Sequence, residues 1–157
     1  MTTTAKRPED VLEELGYVLP APFPPAAAYV PVRIDGSIAY VSGHGPMRDG
    51  GVVFPGKLGS DLSVEQGYES AQLTMLNVLA SLKAELGELS RITAFLKLLV
   101  LINATEDFAQ QPVIADGASD LILAVFGPGN VHARSAIGVA SLPFRISTEI
   151  EAVVRID

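Results

Sequence analysis

The spacing of apolar residues after Ser63 gives the clearest element of the chain. Ser63 and Gln66 have the spacing of a capping box, which marks the start of a helix. Apolar residues then recur every three or four positions until Gly87, a typical helix stop, at Val64, Tyr68, Ala71, Met75, Val78, Leu82 and Leu86. This pattern predicts a long amphipathic helix that buries one face.

Two further segments are predicted to be helical. Pro112 suits a first helical turn, and an apolar stripe from Ile114 to Val125 ends at Gly127. Residues 8–15 have early acids and a following Gly16, which indicates a short helix. The proline-rich residues 20–25 should run extended over the surface.

The remaining apolar runs have the composition of strands. Residues 30–33 and 38–42 flank Asp35-Gly36, a hairpin signal, and residues 52–54 suit a short further strand. Residues 92–102 are apolar on both alternating faces, which predicts a central strand covered on both sides, by helices or by another subunit. Residues 134–139 and 146–156 supply the last strands. The order predicts an α+β fold, a mixed sheet with two long helices on one face.

Composition narrows the class of protein. With 157 residues, 48% hydrophobic and 18% charged, we expect one globular domain, with an N-terminal helix and lead at 1–27 and a core at 28–157. A net charge of −7 without a basic cluster argues against a nucleic-acid partner. No apolar run is long enough for a signal core or a membrane span, so we expect a cytoplasmic protein. Its mean hydropathy of +0.35 suggests a homo-oligomer with pockets at its interfaces.

Two charged residues near the C-terminus are the candidate chemistry. Arg134 begins one predicted strand and Glu149 the next, with Leu142-Pro143 between them. If these strands were neighbours, the guanidinium and the carboxylate would open onto one pocket, one holding an anion and the other a proton or water. Alternatively, Arg134 is a structural arginine that pairs with Glu149 or Glu151 across an interface.

The two histidines, His44 and His132, are the side chains that titrate near neutrality. They lack HxH or HExxH spacing, so a metal site with Asp116 is weakly supported and we expect no metal. We expect each histidine to be a loop residue near the mouth of the pocket. Because the chain has no cysteine, thiolate chemistry is excluded.

Several short motifs resemble those of the RidA/YjgF family of imine deaminases, in its longer and less characterised branch. They are Ala28–Pro31, Ala39–Gly43, Phe108, Gly117–Leu121, His132–Ala136 and Glu149–Glu151. The resemblance implies a chorismate-mutase-like fold and a homotrimer with interfacial sites. It also implies hydrolysis of enamines and 2-imino acids to 2-oxo acids and ammonia without a cofactor.

The resemblance also implies residue roles. Arg134 matches the arginine that grips the substrate carboxylate, for which a planar guanidinium suits bidentate contact. Glu149 matches the glutamate that positions water, together with a backbone carbonyl near Ala136. Tyr29 matches a pocket tyrosine, although a packed edge aromatic is an alternative interpretation, and Ser42-Gly43 matches the loop that closes over the substrate.

Three positions depart from the family pattern. Ala136 stands where typical members have cysteine, His44 where they have glutamine, and Asp116 where asparagine is frequent. An acid at position 116 in the pocket would repel a carboxylate substrate. An alternative function is therefore a non-catalytic trimer that binds a small carboxylate as a sensor or regulator. An endoribonuclease, suggested by one of the family's names, is disfavoured by the acidic charge.

Overall fold

The computed structural model describes residues 6–24 and 27–157 and shows an α+β fold. Helix α1 spans Pro8–Glu14, α2 Val64–Leu86 and α3 Gln111–Phe126. Strands β1 (Val32–Asp35), β2 (Ile38–His44), β5 (Ile92–Asn103), β6 (Ala133–Val139) and β7 (Thr148–Ile156) form one sheet in the order β1-β2-β7-β5-β6. Strands β3 (Met47–Arg48) and β4 (Gly51–Val52) form a separate small hairpin.

The local sequence signals explain most of these elements. The capping box at Ser63 and Gln66 is present in full, and α2 ends at Gly87 with a φ of 88°. Strands β1 and β2 pair antiparallel around Asp35-Gly36, where Gly36 has a φ of 58°. Within the five-stranded sheet the β5–β6 pair is parallel, joined through α3, and the other pairs are antiparallel, so the sheet is mixed as predicted.

Both long helices pack on one face of the sheet. The hydrophobic core lies between them and the inward-facing strand residues, among them Phe95, Leu98 and Val154. Within the single chain, helices cover only one side of β5, and coverage of its other side by another subunit stays a prediction. Leu98, Val100 and Ile102 are buried, whereas Leu99 and Leu101 on the opposite face are only half-buried. We call this second face, which carries no helix, the open face of the sheet.

The sheet order also shows that the strands carrying Arg134 and Glu149 are not adjacent, contrary to the arrangement considered for the candidate site. Strands β6 and β7 are not neighbours, because β5 lies between them.

The proline-rich segment is irregular from residue 20 to residue 24, and its last residue, Pro25, lies outside the described residues. Within the described ranges, no helix is both long and apolar enough to cross a membrane.

Candidate functional site

Arg134 and Glu149 lie on opposite faces of the sheet. Arg134 is paired in register with Leu98 of β5, a fully buried residue that faces the helices. Glu149 is paired with Leu101 of β5, which faces the open side. Side chains alternate between faces along a strand, so residues three positions apart point in opposite directions. The guanidinium and the carboxylate of one chain therefore do not share a pocket.

On the helix side, the Arg134 guanidinium is held by α3. Its Nη1 donates to Asp116 Oδ1 at 2.9 Å and to Ser119 Oγ at 3.0 Å, and Nη2 donates to the Pro112 carbonyl at 3.4 Å. The pair is only partly shielded, with 22% of the Arg134 side chain and 50% of the Asp116 side chain exposed. Two N–H donors, one on Nε and one on Nη2, have no acceptor within the described residues, so both can donate hydrogen bonds to a ligand.

His132 contacts Ser119, one of the partners of Arg134. Its Nδ1 lies 2.9 Å from the Asn130 carbonyl and its Nε2 lies 2.9 Å from Ser119 Oγ. A carbonyl only accepts, so Nδ1 carries the proton, and in the neutral ring Nε2 accepts from the Ser119 hydroxyl. Ser119 can then accept from Arg134. His132 thus orients the hydroxyl beside Arg134, a connection the sequence did not suggest.

On the open side, Glu149 lies against bare backbone of β2. A Cβ placed on Gly43 would be 2.1 Å from Glu149 Oε1, so only glycine leaves room for the carboxylate. A register shift between Val41 and His44 adds one residue to β2 at this point. Such bulges often occur beside functional sites, where they redirect side chains.

The environment of Glu149 disfavours its charged form. Partial burial is the main cause that raises the pKa of this carboxyl above its usual value, and the negative charge of Glu151 adds to it. Glu149 lines a cavity of about 410 Å³ whose other walls are largely apolar. A carboxyl in such a place accepts a proton more readily than an exposed one.

Besides Glu149, two other predicted residues line the cavity, together with several that the sequence did not indicate. Tyr29 and Gly43 line it, as do Phe23, Met47, Phe144 and Ile146. Gly43 lies near the end of β2 and Gly45 directly follows that strand, and two glycines so close together in the sequence indicate backbone that other groups can approach closely. The Gly45 backbone receives Ile146 as Gly43 receives Glu149.

Ser42 and Ala136 lie outside this cavity. The Ser42 hydroxyl donates to the Val30 carbonyl at 2.7 Å, and the residue lines a neighbouring hollow with Glu151 and Lys97. Ala136 is half-buried on edge strand β6, paired with Val100 and packed against the core. Its register places it on the helix side, the same side as Arg134.

His44 is not a loop residue at the pocket mouth, which corrects the prediction. It is the last residue of β2, only 3% exposed, and the strand's extra residue turns it toward α2. Its Nδ1 donates to the Ser42 carbonyl at 2.6 Å and its Nε2 lies 2.8 Å from Ser81 Oγ. Burial lowers the pKa of His44, partly opposed by the bond to Ser42, so the ring is neutral at pH 7.

The acids on α3 serve different neighbours. Asp116 pairs with Arg134, whereas Asp120 accepts a hydrogen bond of 2.8 Å from the Tyr68 hydroxyl of α2. Asp116 therefore does lie at the arginine, and its charge balances the guanidinium. Across residues 6–24 and 27–157, no three histidine or acidic side chains are grouped as a metal site requires.

The family model described as "YjgF/chorismate mutase-like, putative endoribonuclease" matches residues 10–148. The chain belongs to this family. It is 42% identical over 147 residues to Protein TCP17 of Trypanosoma cruzi, a match covering 93% of this chain and 92% of the relative.

Two solved structures of family relatives match closely. The protein Atu1372 of Agrobacterium tumefaciens, described as having unknown function, is 42% identical with a TM-score of 0.90, over 96% of this chain and 92% of that one. A protein from Shewanella oneidensis MR-1, named like the family as an endoribonuclease candidate, is 32% identical with a TM-score of 0.92, over 96% and 100% of the chains. The recognition of the family and its fold from sequence is thus confirmed.

Proposed function

We propose that this protein hydrolyses small 2-imino acids to 2-oxo acids and ammonia, without a cofactor, at sites formed between the protomers of a homotrimer. The observation that carries the proposal is the half-buried Glu149 carboxyl in a largely apolar cavity, with its pKa raised. A general base of this kind needs a pKa nearer to neutrality than that of an exposed glutamate.

The division of the site supports its placement between subunits. Arg134 lies on the helix side of edge strand β6 and Glu149 lies on the open face, so one chain offers two half-sites. The open face carries half-buried Leu99 and Leu101 and exposed Tyr40, which favour coverage by a second copy. Cyclic association would bring the Arg134 half-site of one protomer to the Glu149 half-site of the next.

The reaction follows from these two groups. The free N–H donors of Arg134 hold the substrate carboxylate. Glu149 takes a proton from water as the water oxygen bonds to the imine carbon and the C=N electron pair moves to nitrogen. The protonated Glu149 gives that proton to the nitrogen, which produces a carbinolamine with one hydroxyl and one amino group. Glu149 then takes the hydroxyl proton and passes it to the amino nitrogen, so that the C=O bond forms, the C–N bond breaks and ammonia leaves. The net change is imine plus water to 2-oxo acid plus ammonia, with Glu149 restored.

The test is the rate of loss of 2-iminopropanoate and 2-iminobutanoate, generated in situ by an amino-acid oxidase, for wild type, Arg134→Ala and Glu149→Gln. Arg7→Ala is a matched control, because Arg7 also pairs with an aspartate, Asp10, at 2.7 Å but directly precedes α1, outside the cavity and the Arg134 contacts. Both site variants should lose most of the rate and Arg7→Ala none. A wild-type rate equal to buffer, or an unchanged Arg134→Ala rate, would contradict the proposal.

Binding of a small carboxylate without turnover is the second candidate, favoured by the two N–H donors of Arg134 that have no acceptor within the described residues, since these can hold a carboxylate whether or not Glu149 acts on it. Thermal stabilisation by propanoate without imine hydrolysis would support it. The endoribonuclease activity in the family description is disfavoured by the net charge of −7, which repels the phosphate backbone. RNA cleavage that Glu149→Gln abolishes would reverse that judgement.

A further inference from the structure

The cavity at Glu149 contains far more apolar surface than a three- or four-carbon imino acid needs. Its volume of about 410 Å³ lies within the range of sites that bind whole small ligands. Glu149 is the single charged side chain among its lining residues, and large apolar or aromatic side chains supply most of the rest: Phe23, Tyr29, Met47, Val52, Phe144 and Ile146.

Phe144 is the unusual member of this set. Its side chain is 84% exposed, so within the chain it gains little from burial. Its backbone is in the left-handed region, with a φ of 57° and a ψ of 17°, and the next residue, Arg145, also has a φ of 57°. Non-glycine residues in this region are strained, and such strain concentrates at functional sites.

The turn that carries Phe144 is nevertheless tied down on both sides. The Arg145 amide donates to the Leu142 carbonyl at 3.2 Å, and the Gly56 amide donates to the Arg145 carbonyl at 2.8 Å. The Ile146 amide donates to the Pro143 carbonyl at 3.2 Å. The strained backbone is therefore held in place, and it presents an aromatic ring at the edge of the cavity.

From these observations we infer that the substrates of this site carry a large apolar side chain, preferably aromatic, and that Phe144 is the specificity-determining residue. The inference rests on the proposed function, because it assigns a substrate class to the same site. Glu149 and the carboxylate clamp act on the common part of the substrate. Phe144 and the apolar walls receive the side chain, and the burial of both surfaces favours larger substrates.

The test compares imines generated from phenylalanine and from alanine. Wild type should show a kcat/KM at least about tenfold higher for the phenylalanine-derived imine, as expected for several carbons in an apolar pocket. Phe144→Ala should reduce this preference at least about fivefold. The conformational strain of the left-handed backbone at residue 144 is unchanged, because alanine also has a Cβ. Val18→Ala is the control, since Val18 is also 84% exposed and lies outside the cavity lining.

A binding measurement separates this inference from the proposed function. Calorimetry with propanoate and 3-phenylpropanoate needs no turnover, and the phenyl compound should bind at least about tenfold more tightly, an advantage that Phe144→Ala removes. If no imine is hydrolysed but this difference is found, the proposed function fails and the substrate-class inference stands. Equal affinities, or a preference that is unchanged in Phe144→Ala, would overturn the inference. Equal affinities are also the result expected if a second protomer fills the cavity.

Discussion

Replacing Gly43 by alanine tests whether the position of the Glu149 carboxylate controls turnover. Gly43 lies in β2 at the bulge, and its φ is outside the left-handed region, so the backbone accepts alanine. The added Cβ would lie 2.1 Å from Glu149 Oε1 and 2.9 Å from its carboxyl carbon. Both distances are below what real Cβ atoms show, so the flexible Glu149 side chain must move.

The size of the displacement sets the expected loss. The oxygen must retreat by about 1 Å to reach an ordinary contact, and misplacement of a catalytic group by about 1 Å costs about 10²-fold in rate. Stability should not fall, because an alanine in a strand gains about 0.5 kcal/mol relative to glycine. We therefore expect a large loss of kcat/KM at an unchanged melting temperature.

The assay is imine hydrolysis at fixed pH with Gly43→Ala, Glu149→Gln and Gly129→Ala. Gly129 is the matched control, because a Cβ there meets no atom within 4 Å and its φ is not left-handed. The reasoning is refuted if Gly43→Ala retains activity within twofold of wild type while Glu149→Gln loses it. In that case Glu149 acts from a position other than the one in this structure.

Three further changes test the electrostatics of the site and the fold. Asp116→Asn removes a negative charge about 6 Å from the expected substrate carboxylate. At an effective dielectric constant of about 20–80, the repulsion between these two charges is about 0.7–2.8 kcal/mol. The KM for a carboxylate substrate should fall about threefold or more, and an unchanged or higher KM would contradict the clamp. The pKa of Glu149 is raised by burial and by Glu151, so kcat/KM should rise with pH through a midpoint above the ordinary value of 4.5, and Glu151→Gln should move that midpoint down. Folding favours the protonated Glu149, so its contribution to stability decreases as pH rises through the same range. Finally, His44→Ala removes the partner of the Ser42 carbonyl and of the Ser81 hydroxyl and opens a cavity. The free energy of unfolding, measured in urea, should therefore fall by about 2–4 kcal/mol. A change below about 1 kcal/mol would contradict a structural role for His44.

The secondary structure was largely predictable because its signals are local. The capping box and Gly87 determine both ends of α2, and Asp35-Gly36 forms the β1–β2 turn. The coverage of β5 was not predictable in this way. Leu99 and Leu101 are as apolar as the buried residues beside them, and composition does not say whether a helix or another protomer covers each face.

The site depended on contacts between distant parts of the chain. Arg134 meets Asp116 eighteen residues earlier because the crossover through α3 lays that helix over β6, which no local pattern reveals. The position of His44 was predicted wrongly for a different reason. The predicted strand ends at residue 42, whereas β2 continues to His44 through one extra residue, which turns His44 to the buried side. Phe144 was missed because Leu-Pro-Phe-Arg looks like an ordinary turn.

The central claim is that each active site takes Arg134 from one protomer and Glu149 from another. It is tested most directly by co-expressing Arg134→Ala and Glu149→Gln chains in equal amounts and measuring imine hydrolysis. Each variant alone should be inactive. In random mixed trimers, about a quarter of the interfaces join an intact Arg134 to an intact Glu149, so about a quarter of the wild-type activity should return. Mixed trimers as inactive as the separate variants would contradict the account.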